Sequence, residues 1–178
     1  MALLLRRDTL MQLPSVDVFI GLFFLVGVVY SFLLQRGKTI TTLCSVYIGI
    51  VIASSFSQTV FDFFNGNKVI ANQVWIRGNT STSTIAIVLF LASIVLISGA
   101  INSKNNKADD ISITEVIVYS ILMIALMIAT IMGFLPEATR NHYIEVSIAA
   151  KYIYGWRTLF VVLPPVMLIL LNWKKDKK

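Results

Sequence analysis

The sequence predicts an all-α fold: a polytopic membrane protein with four to five transmembrane helices in one compact bundle. Of the 178 residues, 57% are apolar and 13% charged, against a charged share of about 25% in ordinary soluble domains. Mean hydropathy is +0.80. A soluble domain of this length keeps roughly a third of its chain's surface wet, so it could not hide that much apolar area. The charges also gather between uncharged runs, and those runs approach the roughly 20 residues needed to cross a bilayer as a helix.

The first run, residues 18–34, is bounded by Asp17 and Arg36 and reads VFIGLFFLVGVVYSFLL. No small-residue cleavage site follows it, and Arg36 and Lys38 come directly after, so it is an anchor that stays in the protein. The second run, 39–61, is diluted by Thr41, Thr42, Ser45, Ser54, Ser55, Ser57 and Gln58, which predicts a polar side turned toward protein. The link at 35–38 is so short that these two helices are expected as antiparallel neighbours. The third run, 84–101, follows the polar stretch 79–83, whose hydroxyls suit the free amides of a helix start. The fourth, 116–135, begins after Glu115, which favours the positive end of a helix dipole, and stops at Gly133 and Pro136.

The fifth run is 158–173, the 16 uncharged residues between Arg157 and Lys174. Pro164 and Pro165 interrupt it, and prolines remove helix donors, so a span and a re-entrant hairpin both remain open. Trp156 and Trp173 at its ends are expected as interface anchors, as is Trp75 in the loop between the second and third runs. Residues 143–155 mix apolar and charged side chains and suit an interfacial helix. The segment 102–115 is the most polar and belongs in water. One transmembrane domain, 1–178, accounts for the whole chain.

Lysines and arginines fix orientation by their imbalance across the membrane. With five spans, seven fall on one side (Arg6, Arg7, Lys68, Arg77, Arg140, Lys151, Arg157) and eight on the other, which decides nothing. If the fifth run does not span, the four C-terminal lysines move across, the split becomes eleven to four and the N-terminus lies in the cytoplasm; with five spans the dense KKDKK tail favours an outside N-terminus and an inside C-terminus.

Helices in lipid associate through small residues that let backbones approach. Ser45, Gly49, Ala53 and Ser57 recur every four residues on the second run, Ala125, Ala129 and Gly133 on the fourth, and Gly27 with Ser31 forms a shorter pair on the first. Residues at this interval share one helix face. Such stripes serve either contacts with other subunits or copies, or packing within the chain.

Chemistry is harder to find. No charge lies inside the first four runs, where ion paths usually show one. Asp17 and Glu115 sit at helix starts, where their charge suits the helix N-terminus, with Ser15 or Thr114 as candidate capping residues. Cys44 is a single thiol expected to fill space, and His142 is a lone histidine expected in a loop. No phosphate loop, nucleophile elbow or zinc motif occurs, so no catalytic, cofactor-binding or metal residues are assigned and no cofactor is expected. The net charge of +6 comes from residues flanking the runs, which points to the lipid bilayer as the partner and away from nucleic acid.

The order of features in residues 17–101 is an aspartate (Asp17), a first helix, an Arg-Gly turn (Arg36 and Gly37), a small-residue-rich second helix, a loop, and a third helix reading TIAIVLFLASIVLISGAI. It resembles the CvpA family, bacterial inner-membrane proteins named for colicin V production. The interval from Asp17 to Arg36 is longer than that pattern, no acidic residue follows Gly37, and the family's glycine-rich turn into the fourth helix is missing. The resemblance implies a non-enzymatic, multi-pass protein of the bacterial inner (plasma) membrane. It would act as a scaffold or accessory subunit in envelope maintenance or toxin production and export, and it carries over no functional residues. The alternative from the residues themselves is a small channel or transporter with a path along the hydroxyl-rich second helix.

Overall fold

The computed structural model describes residues 16–33, 36–64, 81–101 and 113–175, and every regular element among them is helical. In chain order these are α1 (Val16–Leu33), α2 (Arg36–Phe64), α3 (Thr82–Ala100), α4 (Ile113–Phe134), α5 (Glu137–Val146), α6 (Ile148–Gly155) and α7 (Arg157–Lys175). Among the described residues, three stretches are long and apolar enough to cross a membrane: Lys38–Phe64, Thr82–Ala100 and Glu115–Phe134. A fourth is added if α6 and α7 form one bent span, whereas α1, counted over Val16–Ser31, is apolar but shorter.

Helix α2 is longer than its apolar run. Its last turns carry Asp62, expected in a loop, because Gln58 Nε2 donates to Asp62 Oδ1 one turn further on at 3.1 Å. Helix α3 starts as its hydroxyl run suggested: Ser81 Oγ accepts from the Thr84 amide at 3.2 Å, satisfying one of the free N–H groups of the first turn.

Helix α4 is the centre of the arrangement. It touches α1, α2, α3, α6 and α7. Leu122, Met123, Ile124, Ala125 and Leu126 are all buried, and five consecutive residues cover more than one full turn. One core cluster joins Leu43, Val46 and Ala53 of α2 to Phe90 and Ile94 of α3 and to Tyr119, Met123 and Leu126 of α4, with Phe160, Met167 and Leu168 of α7 against it. A second joins Ile20 of α1, Ala129 and Met132 of α4, and Ala150 and Ile153 of α6. Helix α1 rests mainly on α4 and only slightly on α2, so the short link does not make α1 and α2 close neighbours as expected; α4 offers α1 the better-fitting surface.

The stretch 143–155 is not one helix. It is broken at Ser147, whose extended backbone (φ −131, ψ 122) ends α5 and starts α6. His142 lies on α5, exposed, and not in a loop. The larger correction concerns the fifth run. Pro164 and Pro165 both lie inside a continuous α7, and the break falls before it at Trp156, where α6 and α7 meet at 61°.

The reason is local chemistry. Pro165 has no N–H to give to the Val161 carbonyl one turn back. Tyr47 Oη of α2 donates to that same carbonyl at 2.7 Å, and Pro164 is fully buried against the bundle. The acceptor freed by proline is thereby satisfied from a neighbouring helix, which lets proline sit in a helix away from water.

A double-mutant cycle checks this. Tyr47→Phe is expected to cost about 1 kcal/mol of stability in detergent. In a Pro165→Ala background the cost should shrink, because the alanine introduced there supplies the missing amide. Equal costs in both backgrounds would contradict the assignment.

Candidate functional site

The small-residue stripes lie in part where the helices meet. On α2, Ser45 and Ala53 are fully buried, Gly49 is buried and Ser57 is half-buried. A Cβ at Gly49 would stand 3.3 Å from the Phe90 carbonyl oxygen and from the Phe90 and Ile94 side chains of α3. Glycine is therefore what allows this approach of α2 to α3. On α4, Ala125 and Ala129 are buried, but Gly133 is exposed and a Cβ there would meet nothing within 4 Å. The stripe ends before Gly133, because α1 and α6 meet α4 at Ala129 and Met132. On α1, Ser31 is buried, and a Cβ at Gly27 would run into the Ile124 side chain of α4, with Ile124 Cγ1 at 2.8 Å. Gly21, one and a half turns earlier, has open space.

Of the expected interface anchors, Trp156 is exposed at the α6–α7 break. Trp173 falls in the last turn of α7. Trp75 lies outside the described residues. Cys44, expected as a filler, is instead an exposed thiol on the outer side of α2.

Of the residues expected at helix starts, Ser15 lies outside the described residues. Asp17 lies in the first turn of α1, as expected, and also serves a second helix start. Its Oδ1 accepts from Ser147 Oγ at 2.6 Å and from the Ala149 amide at 2.9 Å, while Ser147 Oγ accepts from the Ala150 amide at 3.0 Å. The head of α1 is thus tied to the start of α6, where a carboxylate also suits the helix dipole. Asp17 precedes the apolar run of α1, and the Ser147 hydroxyl, followed by the Ala149 amide, holds its carboxyl below the usual carboxylate value. A serine beside this aspartate in space is not readable from a spacing of 130 residues.

Sequence reasoning also missed a cationic cluster at the α5–α7 corner. The guanidinium groups of Arg140 and Arg157 lie 5.2 Å and 5.1 Å from the centre of the Tyr154 ring. Arg157 Nη1 also donates to Tyr154 Oη at 3.1 Å, and Glu137 is 3.9 Å from Arg140. Cation–aromatic contacts of this kind stabilise modestly at exposed sites. Arg140 Nε and Thr39 Oγ1 are buried without a hydrogen-bond partner.

Some hydroxyls of the spanning helices close onto their own backbones, whereas Ser54 and Ser55 of α2, expected to turn toward protein, are exposed, as is Thr59. Thr42 donates to the Lys38 carbonyl, Ser45 to Thr41, Ser120 to Val116 and Thr130 to Leu126, at 2.6 to 2.8 Å. Thr42 also shares a 3.0 Å bond with Ser98 of α3. Among the described residues no three His, Cys, Asp or Glu come together as metal ligands would.

These contacts frame a lateral cleft of about 490 Å³ between α1, α2, α3 and α4. Its walls are apolar, and Lys38 stands among its lining together with Thr42 and Ser98.

No family model, characterised protein or solved structure matches this chain. The reading of the site therefore rests on its own geometry.

The Gly27 contact gives a sharp comparison. Gly27→Leu should destabilise the detergent-solubilised protein by about 1–3 kcal/mol through overpacking against Ile124. Gly21→Leu should stay within about 0.5 kcal/mol. Matching losses in thermal unfolding would contradict the α1–α4 seam.

Proposed function

We propose that the chain is an integral membrane protein in which α1, α2, α3, α4 and α7 cross the bilayer, acting as a non-enzymatic scaffold or accessory subunit. One observation carries this reading: large apolar side chains of the long helices face outward. Phe19 and Leu25 of α1, Val95 and Leu96 of α3, and Ile169 of α7 are between 62% and 71% exposed. In water such a belt would be a liability; in lipid it costs nothing.

A path for ions along α2 is the second reading: Thr42 and Ser45 close onto their own helix, but Ser54, Ser55 and Thr59 are exposed, and neutral polar groups line some pores. The placement in a bacterial inner membrane, and a role in envelope maintenance or toxin export, rest on the likeness of residues 17–101 to the CvpA family. The same reading has the protein meeting other membrane subunits, or copies of itself, through the outward helix faces. With α7 as a span, the lysine-rich C-terminus lies in the cytoplasm and the loop containing Asn72 on the opposite side.

Two assays on the full chain test this. Reporters after Lys178 and beside Asn72 should report opposite sides of the membrane, and the purified protein in mild detergent should run as an oligomer or complex while vesicles containing it stay tight to ions. Reporters on one side would remove α7 as a span. Ion flux above that of empty vesicles, or a solitary monomer, would overturn the scaffold reading.

A further inference from the structure

We infer that the cleft between α1, α2, α3 and α4 is a binding site for an anionic phospholipid, one acyl chain lying in the slot and the phosphate at Lys38. The inference rests on the membrane-spanning reading above and adds a ligand to it.

The slot exists because of how α1 is seated. Although α1 and α2 adjoin in sequence, α1 leans on α4, and a wedge of about 490 Å³ stays open between α1 and the α2–α3 pair. A volume of this size is in the usual range for a small-molecule site. Its walls are Phe23 and Val26 of α1, Ile94 and Val95 of α3, and Met123 and Met127 of α4. Methionine adapts its shape to irregular apolar guests. Val26 and Val95 are 55% and 71% exposed, so the slot opens sideways, toward hydrocarbon in a membrane.

Its polar end is set by the contact that holds α2 to α3. Thr42 and Ser98 are hydrogen-bonded to each other, and Thr42 also to the Lys38 carbonyl. Their hydroxyls are engaged, and the charged group left at that end is the Lys38 ammonium, which is exposed and forms no ion pair among the described residues. A cation at the lip of an apolar slot selects a molecule with an anionic head and an apolar tail. Basic pockets between membrane helices bind anionic headgroups by this logic.

Size decides against a helix from a second copy. A helix about 10 Å across fills a volume of this order in about one turn, whereas a single acyl chain is far narrower and can run along the slot.

The test uses the full-length protein, purified in mild detergent and reconstituted with either phosphatidylglycerol or phosphatidylcholine, with retained lipid counted by native mass spectrometry. The wild type should keep one phosphatidylglycerol in preference to phosphatidylcholine by roughly fivefold, the weight of one lysine near a membrane surface. Lys38→Gln should abolish the preference. Gly99→Leu should lower retention of both lipids, since Gly99 lines the cleft and has open space in which a side chain fits without moving the fold. Lys151→Gln, exposed on α6, should behave as wild type.

No headgroup preference in the wild type, equal losses in Lys38→Gln and Lys151→Gln, or unchanged retention in Gly99→Leu would each overturn the site, as would a dimer that retains no lipid. Failure to enter bilayers of either lipid would overturn the membrane reading and the site with it. Entry into both without preference would overturn the site alone.

Discussion

Helix α4 has no outward face over its middle turn, and the rest of the molecule follows from enclosing it. Five consecutive residues from Leu122 to Leu126 are buried, each needing a neighbour on its own side of the helix. Helices α1, α2, α3, α6 and α7 provide them. The residues that make the enclosure feasible are small or absent side chains at the contacts: Ala125 and Ala129 on α4 itself, Gly27 facing Ile124, and Gly49 facing Phe90. In a lipid setting such close approach is the main source of helix association, because burying apolar surface gains little there.

Enclosing one helix leaves the others to meet the surroundings with apolar side chains, and it limits what backbone irregularity they can carry. Every carbonyl in hydrocarbon must find a donor within the protein. Helix α7 carries two prolines and remains a helix, with Tyr47 of α2 supplying a donor where Pro165 cannot. The chain places its sharp turns elsewhere, at Ser147 and Trp156. At Ser147 a hydroxyl and the Asp17 carboxylate together serve the start of α6. At Trp156 a single residue separates α6 from α7.

The parts legible in the sequence are those that depend on composition over a whole turn or more. The uncharged runs located α2, α3 and α4 because nothing short of burial in apolar surroundings tolerates that length without a charge. Small residues at intervals of four marked where α2 and α4 are closely approached, since the periodicity is set by helix geometry alone. What could not be read depends on residues far apart in the chain. Pro164 and Pro165 suggested a break, and the remedy for Pro165, a tyrosine 114 residues from the carbonyl it serves, has no local signature. The second role of Asp17, at the start of α6, was hidden for the same reason. Gly133 continued a spacing whose partner helices had already moved away, and the seat of α1 on α4 overrode the shortness of its link to α2. The lipid cleft is a by-product of that seat, so it too was out of reach.

The enclosure of α4 within an apolar exterior is most directly tested by spin labels placed one at a time in a Cys44→Ser background, read by collision with oxygen, which concentrates in the bilayer, and with a water-soluble nickel reagent. Labels at Val95 and Leu96 of α3 are predicted to collide strongly with oxygen and hardly with nickel, while a label at Leu126 of α4 collides with neither. Oxygen collision at Leu126 as frequent as at Leu96, or ready access of nickel to Val95 and Leu96, would contradict the account.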